Sequence, residues 1–435
     1  MRSIPCVEGT AFDVDASLRD PLRVAIERLQ RQLRPSFSIL TEVNGRFTVS
    51  GVVGTIGIAA GTALEVSPKT EVGDDWIHAV LDLLIGRDRI DTSADRAAGF
   101  SAERRNLLEV MAATYASRLE RALRREGPIL LLERESSVRP YLKGKLLVTP
   151  WIRRAAWAPH HLPVSFARLT PDHDFSRAMA FVALQLAQRV KSTDTRSRLR
   201  RAARALRPGS PEDLRVTSST ATRTIPTQWA AYDPAWSIAV AVLTHRSLLG
   251  TRGLHEGFTV AVEVWPLLER LLERSLTAAV RLGSTSTRVL NAAWQSEFTL
   301  LDSPEGTASE KRVVKPDGQL SIGGLTVATF EAKYKRRAGE PVWPNRSDIY
   351  QALSAAAACG SPLAVLVYPE DFEPAWWRVT DMSGKPAQLA AIGLGLFSYR
   401  AGIGEEPRGR KLLSLLNGPP SAATVTSEAI ELSSR

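Results

Sequence analysis

The chain has 435 residues, of which 44% are hydrophobic and 23% are charged. This balance is typical of soluble globular proteins, so it argues against a disordered chain and against an integral membrane protein. The length is enough for two or three domains with ordinary hydrophobic cores. The formal net charge of +10 is compatible with a nucleic-acid partner, because arginine makes bidentate contacts to phosphate. A basic surface that serves only solubility explains the same charge equally well.

The chain contains only two cysteines, Cys6 and Cys359, which lie far apart without metal-ligand spacing. This usage fits a reducing compartment and argues against a disulfide framework or a zinc site. The first residues lack the apolar segment of a signal peptide, and the most apolar runs, 237–243 and 389–397, are too short to span a bilayer. We therefore expect a cytoplasmic protein that has no membrane partner.

The N-terminal part of the sequence predicts a small α+β domain. Short β-like runs broken by glycine fill residues 37–68, and Asn44-Gly45 predicts a tight hairpin because both residues tolerate positive φ. Residues 75–84 and 102–125 follow with the apolar spacing of amphipathic helices. We therefore predict a first domain over residues 1–125.

The next segment, residues 126–225, is predicted to be mainly helical and to connect two domains. Its arginine-rich stretch, 196–207, is either a solvated helix end that runs into a linker or a surface that contacts phosphate. The pattern then changes to a long helix, strands joined by glycines, a second helix and a buried strand. We predict a C-terminal domain over residues 226–417 and a mobile tail over residues 418–435.

Two carboxylates and a lysine form the motif that points to chemistry. Glu331 and Lys333 lie two positions apart on a predicted strand, so their side chains emerge on the same face. A turn that contains glycines can fold Asp317 back beside them. Carboxylate oxygens bind Mg²⁺ while leaving sites for water and phosphate, and the metal activates water. The pattern fits metal-assisted hydrolysis of a phosphodiester, although a surface hairpin with ordinary charges gives the same short pattern by chance.

Four short stretches around this motif carry a resemblance to a known family. They are Lys315-Pro-Asp317, Phe330-Glu-Ala-Lys-Tyr-Lys335, Asp348-Ile-Tyr-Gln351 and Leu366-Val-Tyr-Pro369. Together they resemble the nuclease domain of the McrC family, the endonuclease subunits of modification-dependent restriction systems. The similarity continues upstream to Trp265-Pro-Leu-Leu-Glu269 and, more weakly, over most of the chain. It implies an α/β fold, with an α+β N-terminal domain and a PD-(D/E)xK core in which helices flank a mixed sheet.

This resemblance implies roles for individual side chains. Asp317 and Glu331 would bind Mg²⁺ or Mn²⁺, and Lys333 would be the catalytic lysine. Gln351 would orient substrate or water, and Glu269 is a candidate for a further metal ligand. The family usually has aspartate at the position of Glu331, so the longer glutamate is expected to shift the metal geometry. Two alternatives stay open: Glu269 is a solvated residue on the polar side of a helix, and Gln351 is a surface amide.

The same resemblance implies two partners: double-stranded DNA and a ring of McrB-type AAA+ GTPases that docks on the N-terminal domain. The chain has no Gly-x-x-x-x-Gly-Lys-Ser/Thr motif, so it is not expected to bind GTP itself. We therefore expect a Mg²⁺-dependent DNA endonuclease subunit that stimulates its partner's GTPase. Two alternatives stay open: a nuclease of the same core in another defence or repair complex, and a catalytically inactive scaffold for an AAA+ motor.

Overall fold

The computed structural model describes residues 2–59, 61–70, 76–85, 107–206, 218–244, 259–285, 289–301, 312–335, 343–379 and 387–419. The chain forms two compact units: residues 1–94, 255–257 and 261–435 make up the first, and residues 95–254 and 258–260 the second. Within the described ranges, no helix is both long enough and apolar enough to cross a bilayer. The predicted mobile tail lies outside the described residues, except for Gly418 and Pro419.

Two small sheets and a long helix form the N-terminal part of the first unit. Their elements are β1 (Arg2–Val7), β2 (Ala11–Phe12), α1 (Ala16–Leu33), β3 (Leu40–Val43), β4 (Arg46–Val49), β5 (Val52–Ala59), β6 (Thr62–Ser67) and α2 (Trp76–Ile85). Apolar side chains from both sheets and from α1, such as Leu22, Phe47 and Ile56, share one buried core. The predicted hairpin is confirmed, since β3 pairs with β4 and the φ angles of Asn44 and Gly45 are 51° and 77°.

The second unit combines helices with a three-stranded sheet. Its elements are α3 (Leu107–Glu126), β7 (Leu131–Arg139), β8 (Lys145–Leu146), α4 (Val148–Ala155), β9 (Leu162–Thr170), α5 (Asp174–Ala187), α6 (Thr193–Leu206) and α7 (Asp233–Thr244). The buried hydroxyl of Tyr115 on α3 donates to the carbonyl of Met179 on α5 at 3.0 Å. Arg198 on α6 forms an ion pair with Glu120 on α3. The sequence-based division places helix α3 in the domain of residues 1–125, whereas these contacts lie inside the second unit. The division itself stays a prediction.

A mixed sheet flanked by helices forms the rest of the first unit. Its elements are β10 (Val260–Glu263), α8 (Trp265–Gly283), β11 (Leu290–Ala293), β12 (Phe298–Leu301), β13 (Arg312–Val314), β14 (Gly318–Ile322), β15 (Leu325–Ala332), α9 (Arg346–Ala358), β16 (Leu363–Tyr368), β17 (Ala375–Val379), β18 (Ala387–Gly393) and α10 (Glu405–Ser414). Six strands have the order β11-β14-β15-β16-β18-β17, while β10 joins the N-terminal sheet beside β5. Strands β15, β16 and β18 run parallel, and the other neighbours are antiparallel. This architecture confirms the predicted α/β class.

Helices α8 and α9 lie on opposite faces of the six-stranded sheet. Phe330 and Glu331 point to opposite faces because successive strand side chains alternate. Gly318, the register partner of Phe330, leaves room for α8: a Cβ atom there would lie only 2.5 Å from Cδ1 of Leu276. On the other face, the side chain of Gln351 on α9 contacts Glu331. The face that bears Glu331 is therefore the one that α9 covers.

Helix α10 packs closely on α8 at a single glycine. A Cβ atom on Gly409 would lie 2.8 Å from the backbone nitrogen of Ala279 and 2.9 Å from Cβ of Ala278. Rigid helix backbone is therefore the obstacle, and only a residue without a side chain allows this approach. The contact holds α10 against the helix that carries Glu269.

We predict that Gly409→Val lowers the free energy of unfolding by about 1–3 kcal/mol, because the new side chain forces the two helices apart. Urea unfolding of the full chain measures this loss. Ser414→Val, at an exposed position of the same helix, is the matched control for the lower helix propensity of valine. Equal stability of both variants would contradict the close helix contact.

Candidate active site

The predicted catalytic residues meet at one end of strand β15. Glu331 is the second-to-last residue of the strand, and Lys333 directly follows the strand. Their side chains point to the same face of the sheet. Asp317 directly precedes β14, the antiparallel partner of β15. Its Oδ2 accepts the backbone N–H of Ala332 at 2.7 Å, which places the carboxylate beside the residues on both sides of that alanine.

The return of Asp317 to Glu331 is confirmed, but the chain takes a different route from the one expected. The sequence pattern predicts β-like runs over residues 312–317 and 325–335 that are joined through Gly318, Gly323 and Gly324, whereas in the structure the strand that pairs with β15 is β14. Arg312–Val314 instead pairs with β12 in a separate two-stranded sheet. The turn between β14 and β15 consists of Gly323 and Gly324, whose φ angles of 58° and 84° favour glycine.

Lys333 and Glu331 form a buried ion pair that a glutamine completes. Each residue is only 4% exposed. The ammonium nitrogen of Lys333 lies 2.9 Å from Oε1 of Glu331 and 2.7 Å from Oε1 of Gln351. The amide nitrogen of Gln351 in turn donates to Oε1 of Glu331. Because a buried charge requires such partners, Gln351 holds both charged groups in fixed orientations.

Helix α8 brings a further carboxylate and an aromatic ring to the rim of the site. The indole N–H of Trp265 donates to Oε1 of Glu269. The ammonium nitrogen of Lys333 lies 5.6 Å from the centre of the Trp265 ring, within the range of a cation–π interaction. Glu269 is close enough to the motif for its charge to act on Glu331. The structure thus brings all five predicted site residues together.

Burial raises the pKa values of the three carboxyl groups, and repulsion by a neighbouring carboxylate adds to this at Glu331 and Glu269. Burial, followed by the charge of Asp317, raises the pKa of Glu331 to about 7, although Lys333 acts in the opposite direction. Burial also raises the pKa of Asp317, against the hydrogen bond from Ala332. The pKa of Glu269 is raised by burial and then by Asp317. Raised carboxyl pKa values mark negative charge that the protein does not fully compensate, and a cation would stabilise it.

The donor atoms suit a hard divalent cation. Carboxylate oxygens are the ligands that Mg²⁺ and Mn²⁺ prefer, and Asp317 and Glu331 present them on adjacent strands. Among the residues that the structure describes, no three His, Cys, Asp or Glu side chains are drawn together as a metal-binding group. The assignment of Asp317 and Glu331 as metal ligands stays a prediction. The assignment of Glu269, whose Oε1 accepts from Trp265, stays a prediction.

Sequence reasoning missed one residue that holds Asp317 in place. The amide nitrogen of Gln295 donates to Oδ1 of Asp317 at 3.2 Å, and its backbone N–H donates to the carbonyl of Pro316. Gln295 has a φ of 55°, so it lies in a tight bend after β11. A single glutamine in a short connection carries no motif, and only the tertiary structure shows its role.

Comparison with known proteins places the chain in a family. The family model described as "McrBC 5-methylcytosine restriction system component" matches residues 47–369, about three quarters of the chain. The chain belongs to this family. The matched range includes all five site residues, and the match confirms the resemblance found in the sequence. No curated protein matches the chain significantly.

Two solved structures share the fold of this McrBC-family chain. One is a chain of a refined half-complex from a tetradecameric assembly of Thermococcus gammatolerans McrB AAA+ hexamers with bound McrC. It has a TM-score of 0.68 and 17% identity, with 95% of this chain and 100% of that chain covered. A second, from the cryo-EM structure of the Thermococcus gammatolerans McrBC complex, has a TM-score of 0.50 and 18% identity, with 64% and 88% covered. At these identities the similarity establishes the fold alone.

Lys333→Met tests the buried ion pair, because it leaves Glu331 without its cation. We expect a loss of about 1–2 kcal/mol in the free energy of unfolding at pH 8, because the pKa of Glu331 is already about 7 and each further pH unit adds roughly 1.4 kcal/mol. The variant raises the folded pKa of Glu331 still further. A raised carboxyl pKa destabilises the fold only above the unfolded value of about 4.3, so the loss should shrink as the pH falls toward 5. Urea unfolding in the presence of a chelator at pH 5 and pH 8 measures both values.

Lys315→Met is the matched control, because Lys315 pairs with Glu297 while both side chains are about half exposed. Surface pairs of this kind contribute roughly 0–1 kcal/mol. The control should therefore change little at either pH. A loss in Lys333→Met that is the same at pH 5 and pH 8 would contradict the buried ion pair.

Proposed function

We propose that this chain is the Mg²⁺-dependent DNA endonuclease subunit of a McrBC-type restriction complex that acts in phage defence. The observation that carries the proposal is the cluster of Asp317, Glu331 and Lys333 at the end of β15, in the order of a PD-(D/E)xK motif. Membership of a restriction-system family supports it. An inactive scaffold has no need of a buried lysine beside two carboxylates of raised pKa, which together destabilise the fold.

Each residue of the cluster has a distinct role in the proposed reaction. Asp317 and Glu331 would hold Mg²⁺ or Mn²⁺, with Glu269 as the candidate further ligand. When bound, the metal supplies an activated water and neutralises charge on the scissile phosphate. Lys333 holds a positive charge where negative charge develops on that phosphate. Gln351 keeps Lys333 and Glu331 aligned and orients substrate or water from the exposed side of the site.

Double-stranded DNA is the proposed substrate of this site. The net charge of +10 supports an anionic polymer as partner, and phosphate contacts release counterions on binding. Because the sequence has no phosphate-binding loop, nucleotide hydrolysis belongs to the AAA+ partner rather than to this chain. The partner would also select the modified DNA and move it.

Alanine variants test the catalytic assignment. Asp317→Ala, Glu331→Ala and Lys333→Ala should each lower cleavage by at least about a thousandfold, because each removes several kcal/mol of transition-state stabilisation. The assay measures cutting of methylated DNA by the chain with its AAA+ partner, GTP and Mg²⁺. Lys315→Ala, which removes a surface lysine two residues before Asp317, should retain the activity of the unmodified chain.

Three outcomes would contradict parts of this assignment. Full activity in any of the alanine variants removes that residue from its role. Cleavage that continues in a chelator contradicts the metal. A wild-type chain that stimulates its partner without cutting DNA would support the scaffold alternative and overturn the proposed activity.

One stretch of the second unit, residues 130–169, carries several exposed apolar side chains that would fit a protein partner. Helix α4 buries none of its side chains, and Ile152 and Trp157 are 63% and 74% exposed. The exposed apolar side chains of residues 130–169 are Leu130, Leu132, Val138, Tyr141, Leu142, Val148, Ile152, Trp157 and Leu169. Such a concentration marks an interaction surface. We propose that a McrB-type AAA+ GTPase docks here, whereas the sequence resemblance implied the N-terminal domain.

Glutamate substitutions separate the two docking surfaces. Ile152→Glu should reduce stimulation of the partner's GTP hydrolysis by about tenfold or more, because it places a charge in an apolar interface. Val43→Glu, at an equally exposed position next to the turn of the β3–β4 hairpin, is the matched control and should retain stimulation. GTP turnover by the partner is the measurement. The reverse result would place the docking surface on the N-terminal hairpin and contradict this proposal.

A further inference from the structure

A buried carboxylate lies outside the candidate active site, in the N-terminal part of the first unit. Glu8 is 2% exposed and directly follows β1. Its Oε2 accepts the hydroxyl of Tyr334 at 2.6 Å, and its Oε1 accepts the backbone N–H of Gly51 at 2.8 Å. The ammonium nitrogen of Lys69 lies 3.8 Å from Oε1 and compensates the charge. A buried carboxylate with these partners occupies one fixed position.

Tyr334 connects Glu8 to the end of β15, because it is the residue after Lys333. The carbonyl of Tyr334 accepts from the Lys69 ammonium group at 3.1 Å, and that group lies 4.2 Å from the centre of the tyrosine ring. On the other side, the backbone N–H of Lys333 donates to the carbonyl of Val367 on β16 at 2.8 Å. The N–H of Lys333 is thus held by strand β16 of the central sheet, and the next residue, Tyr334, is held by Glu8 and Lys69.

Gly51 connects Glu8 to helix α8, the other wall of the site. The N–H of Gly51 donates to Glu8, and its carbonyl accepts the backbone N–H of Val264 at 3.1 Å. Val264 is the residue before α8, whose first two turns carry Trp265 and Glu269. A side chain on Gly51 would collide with the ring of Phe37, and the φ of 73° also favours glycine. The backbone of Gly51, through its N–H and its carbonyl, therefore links Glu8 to the start of α8.

We infer that Glu8 is a positioning residue for the active site, because it ties the Lys333 end of β15 and the start of α8 to one point. The inference rests on the proposed nuclease function. Glu8 does not touch the candidate catalytic groups; it sets the separation between Lys333 and the wall formed by Trp265 and Glu269. Small displacements of reacting groups cost large factors in rate, so this separation matters for catalysis.

Two conservative variants test the inference in the full complex with the AAA+ partner. Tyr334→Phe removes only the hydroxyl that donates to Glu8. Glu8→Gln keeps the size of the side chain but replaces one of the two acceptor oxygens by an N–H donor and removes the charge that faces Lys69. We expect kcat for DNA cleavage to fall about tenfold in each, with KM within about twofold, at temperatures well below Tm.

Tyr115→Phe is the matched control, because it also removes one buried tyrosine hydroxyl that donates to an oxygen, in the second unit. It should lower Tm by a similar few degrees and leave kcat unchanged. Hydrogen exchange provides a readout that does not depend on activity. Glu8→Gln should speed exchange at residues 331–335 and 264–269, while β16 exchanges as in the unmodified chain.

The outcomes distinguish this inference from the proposed function. Variants that lose stability like Tyr115→Phe, but keep the wild-type kcat and the wild-type exchange at both segments, would overturn the positioning role. If the unmodified chain does not cut DNA at all, the proposed function fails. The exchange measurement then decides the inference: faster exchange at both segments supports the link through Glu8, and unchanged exchange overturns it.

Discussion

Lys333 directly follows strand β15 with its side chain almost fully buried, and a buried ammonium group is stable only among oxygen acceptors. Glu331 supplies one acceptor from the strand, and Gln351 supplies another from helix α9. The position of α9 on the sheet therefore depends on this lysine as well as on the apolar packing of its alanines. Asp317 completes the arrangement because the pairing of β14 with β15 leaves it beside the backbone N–H of Ala332.

The site is built at the expense of stability. Burial raises the pKa values of Asp317, Glu331 and Glu269, and neighbouring carboxylates raise those of Glu331 and Glu269 further, which means that each ionised group is less stable here than in water. Apolar packing elsewhere in the unit must offset this. A divalent cation would stabilise the ionised carboxylates, because it would compensate the negative charge that Lys333 alone does not. The same electrostatic strain that weakens the fold would provide affinity for the proposed metal.

Local patterns predicted the features that depend on neighbouring residues. The alternation of strand side chains placed Glu331 and Lys333 on one face, and Asn44-Gly45 gave the correct hairpin. The sequence patterns did not reveal contacts between residues far apart in the chain. Strand pairing depends on tertiary packing, so β14 rather than β13 became the partner of β15. Helices α1 and α10 contain prolines that weaken the helical pattern, and the sequence did not predict them. Glu8 and Gln295 act across large sequence separations, which no local pattern reveals.

Anomalous scattering from crystals soaked in Mn²⁺ tests the proposed metal site, because it locates the cation without requiring an activity. We expect a peak between the carboxylates of Asp317 and Glu331, at roughly 2 Å from their oxygens. Asp317→Ala crystals, treated in the same way, should lose that peak. A peak elsewhere, or none at all with the Lys333 ammonium group still in contact with both Glu331 and Gln351, would contradict a metal-dependent nuclease site.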